Sequence, residues 1–102
     1  MTNKLRILIV EDDFVSRSLL GRFINDISIY DVAVDGVEAI AAINHLLQQN
    51  QKYDVVFLDI MMPNMDGLTT LQHIRELEEK NGFQLGTGSK IIMTTALDDS
   101  KN

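Results

Sequence analysis

Short apolar runs alternate along the chain with longer segments in which apolar residues recur every three or four positions. The runs cover residues 5–10, 29–34, 53–58 and 90–95. Continuous apolar runs of this length, rich in β-branched residues, are typical of buried parallel strands. The longer segments have the period of amphipathic helices. They cover residues 14–27, 37–49 and 67–80.

This order of elements predicts an α/β fold. Strands that alternate with helices form a parallel sheet with right-handed crossovers and helices on its faces. The predicted helix boundaries carry matching signals. Asp13 is a candidate N-cap for the first helix, Asp35-Gly36 is a turn before the second, and Asn81-Gly82 is a stop after the third. We find no internal repeat and no linker, so the 102 residues are interpreted as one domain.

Composition narrows the classes of function. Apolar residues make up 45% of the chain, which is too many for a disordered protein. The formal net charge of −6 disfavours binding to nucleic acid or to anionic membranes, since both need clustered Lys and Arg. Without cysteine the chain has neither a disulfide nor a thiolate metal site. No run resembles a signal peptide or a membrane span, so a cytoplasmic location is expected.

Candidate chemistry lies where the first and third predicted strands end. Glu11-Asp12-Asp13 follows the first strand, and Asp59 follows the third, just before a loop that contains Pro63 and Gly67. The carboxyl ends of parallel strands meet at one edge of the sheet, where ligands bind. Clustered carboxylates suit a hard divalent cation, and a carboxylate beside such a cation can be phosphorylated. The acids that follow these two strands are therefore the candidate site, and we interpret Glu11 as a solvated or capping acid rather than a ligand.

These motifs together resemble the receiver domain of two-component response regulators. The resemblance runs from about residue 4 to the last residue. It rests on four segments: Asp12-Asp13, Asp59 with the loop 62–67, Ala33-Val34-Asp35-Gly36-Val37-Glu38-Ala39, and Met93-Thr94-Thr95-Ala96. The resemblance implies a flavodoxin-like α/β/α fold in three layers, with strand order 2-1-3-4 and without the usual fifth strand and fifth helix.

The resemblance also implies a role for individual residues. Asp59 would accept a phosphoryl group from a histidine kinase or a histidine phosphotransfer protein. Asp13 would bind Mg²⁺ directly, Asp12 would bind it partly through water, and the backbone carbonyl of Met61 would complete the protein ligands. The hydroxyl of Thr95 would bond a phosphoryl oxygen and take part in the conformational switch. Such a domain is not an enzyme, since it catalyses only its own phosphorylation and dephosphorylation.

The chain departs from the family pattern near its C-terminus. The basic partner in receivers is a Lys that ends strand five and precedes a Pro, whereas Lys90 here begins strand four and Pro63 is the sole proline. Residues 1–102 are therefore interpreted as a receiver domain truncated at the start of helix four. Strand four would then be an exposed edge through which copies could self-associate.

Two other functions stay open at this point. The first is a receiver-like interaction module whose phosphorylation is impaired, which the missing Lys favours. The second is a phosphohydrolase with an Asp nucleophile. Such enzymes usually carry a second Asp two residues after the nucleophile, where this chain has Met61.

Overall fold

The computed structural model describes residues 4–62, 64–84 and 86–94. The elements in these residues alternate as the sequence predicts. They are β1 (Leu5–Val10), α1 (Phe14–Ile24), β2 (Ser28–Ala33), α2 (Gly36–Gln48), β3 (Val55–Asp59), α3 (Gly67–Lys80) and β4 (Lys90–Thr94). None of the helices in this described part is long and apolar enough to cross a membrane.

The four strands form one sheet in the order β2-β1-β3-β4. Every neighbouring pair is parallel. The predicted strand order and the flavodoxin-like fold are therefore confirmed for the described residues. The sequence also predicts the start of a fourth helix after residue 96, and that segment lies outside the described residues.

Helices cover both faces of the sheet because successive strand residues point to opposite sides. Leu8 and Val10 belong to a core that α2 and α3 cover. Ile7 and Ile9 point the other way and pack against Ile24 of α1. Residues 7–10 of β1 are thus buried on both sides, whereas β3 is buried on the side of α2 and α3 and partly buried on the other.

Two predicted boundaries differ from the structure by more than one residue, and hydrogen bonds explain both shifts. Helix α1 ends at Ile24 rather than near residue 27, because the carbonyl of Ile27 accepts the amide of Leu5 at 3.0 Å and so belongs to the sheet edge. Strand β3 begins at Val55 rather than at residue 53. Asp54 is occupied just before it, since its carboxylate accepts the amide of Arg6 at 2.8 Å.

An Asp side chain caps the N-terminus of each of the three helices. Asp13 accepts the amide of Ser16, Asp35 accepts that of Glu38, and Asp66 accepts that of Thr69. These bonds satisfy amides that have no partner within the helix. Because each helix begins where a strand ends, the caps lie along the carboxyl edge of the sheet. The predicted stop after α3 is also present, with Gly82 at φ +89°.

Candidate functional site

Acidic side chains meet where the neighbouring strands β1 and β3 end. Val10 lies opposite Leu58 in the parallel register, so the residues that follow them reach the same edge. Asp59 is the last residue of β3 and is fully buried. Its carboxylate oxygen and those of Glu11 and Asp12 lie within 4.8 Å of one another. The structure therefore brings Asp12 and Asp59 together, with Glu11 as the third acid of the group.

The structure separates the two alternatives that the sequence analysis gave for Glu11, a solvated acid or a capping acid. Its side chain is only 9% exposed, so the expected solvated acid is wrong. Its Oε2 accepts the backbone amide of Asp13 at 3.0 Å, which is the capping type of contact. The signal that could have identified it is position. Glu11 and Asp12 are the first two residues after β1, and an acid there reaches the sheet edge whether it is Asp or Glu.

Asp13 lies outside this group of acids in the described residues. Its Oδ2 accepts the amide of Ser16 at 2.9 Å and the hydroxyl of Ser16 at 2.7 Å. The predicted N-cap is thereby confirmed. These bonds direct the carboxylate to the first turn of α1 and leave its role as a metal ligand a prediction without geometric support.

Arg17, which lies on α1, binds the backbone of the acidic segment 11–12. Its Nη1 donates to the carbonyl of Glu11 at 3.0 Å and to that of Asp12 at 3.1 Å. The guanidinium also lies over the ring of Phe14, 5.6 Å from its centroid. A planar guanidinium suits such fixed contacts. It orients the two peptide groups that carry the acids and brings positive charge beside them.

The loop after Asp59 is held against the end of β3. The amide of Met61 donates to Asp59 Oδ1 at 3.1 Å. The amide of Gly67 donates to the carbonyl of Ile60 at 2.9 Å. A side chain at Gly67 would collide with the carbonyl of Asp59, so only glycine allows this close approach. The role of the Met61 carbonyl as a metal ligand remains a prediction.

The carboxyl end of β4 lies beside Asp59. Thr94 is the register partner of Asp59, and its carbonyl accepts the amide of Ile60 at 3.1 Å. Thr95, the predicted hydroxyl donor, lies outside the described residues, so its role stays a prediction.

Two of the helix caps have carboxyl groups that are more acidic than usual. The backbone amide of Glu38 lowers the pKa of Asp35, and the side-chain amide of Asn64 lowers it further. The pKa of Asp66 is lowered by its hydrogen bond from the backbone amide of Thr69. Hydrogen bonds to the ionised form cause these shifts, so both caps are charged at neutral pH.

Residues 7–102 match the family model of the response regulator receiver domain. The chain belongs to this family. Receiver domains are the signalling domains of two-component and phosphorelay systems, and they occur in histidine kinases as well as in response regulators.

Curated relatives include much longer proteins. The chain is 33% identical over 100 residues to the osmosensing histidine protein kinase SLN1 of Saccharomyces cerevisiae, a match that covers 96% of this chain and 8% of that protein. It is 39% identical over 77 residues to hybrid signal transduction histidine kinase B of Dictyostelium discoideum, which covers 74% of this chain and 4% of that one. The chain thus spans less than a tenth of either relative.

Solved receiver structures share the fold. The receiver domain of the histidine kinase CKI1 from Arabidopsis thaliana, complexed with Mg²⁺ and BeF₃⁻, has a TM-score of 0.80 and 26% identity. That match covers 92% of this chain and 67% of the other. The CheX–CheY complex with BeF₃⁻ and Mg²⁺ from Borrelia burgdorferi has a TM-score of 0.69 and 31% identity, and the match covers 95% and 66%.

Proposed function

We propose that Asp59 is the phosphoacceptor of this receiver domain and that Mg²⁺ at the adjacent acids supports the transfer. The observation that carries the proposal is the grouping of Asp59 with Glu11 and Asp12, whose carboxylate oxygens lie within 4.8 Å of one another. Carboxylates this close repel each other unless a cation or a proton intervenes. A donor set made only of oxygens favours a hard cation such as Mg²⁺.

The proposed ligands differ from the sequence prediction at one position. We assign the cation to Asp12, Asp59 and the carbonyl of Met61, with Glu11 in the place predicted for Asp13. Few protein ligands suit Mg²⁺, which keeps several of its waters. The bond from the Met61 amide to Asp59 Oδ1 supports this assignment, because it keeps the backbone of Met61 close to the carboxylate.

The proposed reaction moves a phosphoryl group from nitrogen to oxygen. A carboxylate oxygen of Asp59 attacks phosphorus, the N–P bond of a phosphohistidine breaks, and the leaving imidazole nitrogen takes a proton. Bound Mg²⁺ would neutralise the charge on the phosphoryl oxygens. The Met61 amide orients the nucleophile. Thr95 is proposed to donate its hydroxyl to a phosphoryl oxygen, and the position of Thr94 beside Asp59 supports this. Water later hydrolyses the acyl phosphate.

The proposed donor is a histidine kinase or a histidine phosphotransfer protein that docks on α1. Helix α1 begins directly after the acidic segment, so a partner on it also reaches Asp59. The outer side of α1 has an unusual number of exposed apolar side chains, which are Phe14, Val15, Leu19 and Phe23. Exposed apolar patches of this kind mark interaction sites. The histidine kinases among the relatives support the same class of partner.

We also propose that the 102-residue chain self-associates through β4. In the described residues β4 pairs only with β3, and Ile92 on it is exposed. A strand edge with unpaired backbone groups is a template for another strand. Sedimentation at micromolar concentration should therefore detect dimers or larger species. A monomer across that range would show that this edge is not used.

The alternatives gain less support. An Asp-nucleophile phosphohydrolase needs an acid or base two residues after the nucleophile, and the thioether of Met61 cannot serve as one. The phosphorylation experiment below separates a module with impaired phosphorylation from the proposed function.

The test is phosphorylation by a small acyl-phosphate donor, with and without Mg²⁺. We expect one Mg²⁺-dependent, hydroxylamine-sensitive phosphate per chain, and mass spectrometry should locate it on Asp59. Asp59→Asn keeps the shape of the side chain and removes the nucleophilic oxygen, so it should abolish labelling without unfolding the protein. Labelling that persists in this variant would refute the assignment, and an unlabelled wild-type chain would favour the impaired module.

A further inference from the structure

One hydrogen bond joins the loop after Asp59 to the start of α2. Nδ2 of Asn64 donates to Oδ2 of Asp35 at 2.9 Å. The other oxygen of Asp35 accepts the amide of Glu38 at 2.8 Å and caps the helix. A single carboxylate therefore holds both the first turn of α2 and the loop that follows the proposed phosphoacceptor.

Close packing reinforces this connection. Gly36, the first residue of α2, leaves no space for a β-carbon, which would collide with Thr70 Oγ1 and lie 2.9 Å from Cβ of Met65. The hydroxyl of Thr70 in turn donates to the carbonyl of Asp66 at 2.8 Å. The N-terminus of α2 thus packs closely against the end of the loop and the first turn of α3.

The backbone at Asn64 fits this role. Asn64 has φ +69°, in the left-handed region that asparagine tolerates better than most residues. The loop is anchored near its start, where the Met61 amide bonds Asp59, and near its end, where the Gly67 amide bonds Ile60. The bond to Asp35 adds a third anchor between these two, and this anchor comes from a different helix.

We propose that Asn64 and Asp35 are positioning residues of the acidic site. Their hydrogen bond fixes the path of the loop, and the loop fixes the Met61 peptide that orients Asp59. Cation binding at the site is thereby coupled to the cap of α2. Such coupling is reciprocal, so bound Mg²⁺ should strengthen the Asp35 cap as much as the cap strengthens Mg²⁺ binding. The inference rests on the proposed function, because it needs the cation site.

Two substitutions remove the hydrogen bond and keep the local structure. Asn64→Gly retains the left-handed backbone without the donor, and Asp35→Ser retains an N-cap oxygen without the second acceptor. Each should raise the Kd for Mg²⁺ by about three- to tenfold. The double variant should be no weaker than the weaker single variant, because both remove one interaction. Asn50→Gly is the matched control, since Asn50 also has positive φ, at +59°, but follows α2 at its far end.

The measurements are calorimetric titration with Mg²⁺ and amide NMR, after thermal unfolding in chelator has shown that each variant folds. Saturating Mg²⁺ should shift the Glu38 amide signal in the wild-type chain, and Asn64→Gly should remove that shift. If the wild-type chain binds Mg²⁺, two results would overturn this inference and leave the proposed function intact. One is an unchanged Kd in both single variants, and the other is additive effects in the double variant. A wild-type chain that binds no Mg²⁺ would overturn the proposed function as well.

Discussion

Two neighbouring strand-to-helix turns at the same edge of the sheet have different contents. Strands β1 and β2 run side by side, with Val10 opposite Ala33, and each leads into a helix that an Asp caps. The turn after β1 holds Glu11 and Asp12 before its cap, whereas the turn after β2 holds only Val34. Acidic side chains thus have two tasks at this edge: the acid directly before a helix caps that helix, and the acids nearer the ends of β1 and β3 form the acidic group.

The turn after β3 supports the same rule. Asp59 ends the strand and belongs to the acidic group, while Asp66 starts α3 and serves as its cap. The acids nearer the ends of β1 and β3 form the acidic group, and the acid directly before each helix caps that helix. The site therefore draws on the first and third turns, and the second turn contributes through Asp35 and its bond to Asn64.

The largest expected effect follows the removal of a strand-end acid. Asp12→Asn removes a charged oxygen donor, so the Kd for Mg²⁺ should rise at least about tenfold. In chelator the variant should be no less stable than the wild-type chain, because it relieves repulsion among the carboxylates. Calorimetric titration and urea unfolding measure the two effects. An unchanged Kd combined with clear destabilisation would make Asp12 a structural residue and break the comparison.

A second prediction contrasts the exposed surfaces of α1 and β2. Phe23 on α1 is 75% exposed and Ile29 on β2 is 63% exposed, so neither contributes much to the core. Phe23→Ser should slow transfer from a phosphorylated histidine phosphotransfer protein by about tenfold, as expected for an interface anchor. Ile29→Ser should not, and neither substitution should change labelling by a small acyl phosphate. Equal effects of the two on protein-to-protein transfer would show that α1 is not the docking surface.

The smallest predicted effect concerns the stability of the fold at low pH. The pKa of Asp66 is lowered in the folded chain by the Thr69 amide. Its cap therefore stabilises the fold fully above the pKa of an unfolded Asp, and the stabilisation is lost as the pH falls through the folded value, below about pH 4. Asp66→Ser keeps a cap that does not titrate. Urea unfolding at neutral pH and near pH 3 should show a smaller loss for this variant, and an identical loss would mean that the cap does not contribute to acid sensitivity.

The fold could be predicted because its signals are local. Apolar runs and helical periods identified each element, and the order of elements implied the parallel sheet. The end of α1 was misplaced because Ile27 has the right helical spacing, yet its carbonyl pairs with Leu5 of β1. Contacts between distant segments decide such a boundary, and the pattern of one segment does not contain them.

The site could be predicted in part for the same reason. Asp12 and Asp59 follow from the ends of two adjacent strands. At the remaining position the acidic group contains Glu11, whereas the sequence analysis chose Asp13, whose role as a metal ligand stays a prediction. Arg17 and Asn64 were missed because each acts through a contact that only the folded chain creates.

The most direct test of the central claim compares Glu11→Gln with Asp13→Asn in calorimetric Mg²⁺ titrations. Both substitutions remove one negative charge at nearly constant shape, from residues two positions apart. Asparagine is also as good an N-cap as Asp, so Asp13→Asn should keep α1 intact. We predict that Glu11→Gln raises the Kd at least about tenfold and that Asp13→Asn changes it by less than about threefold. The opposite order would place Asp13 in the site and contradict the rule that the acid directly before a helix serves as its cap.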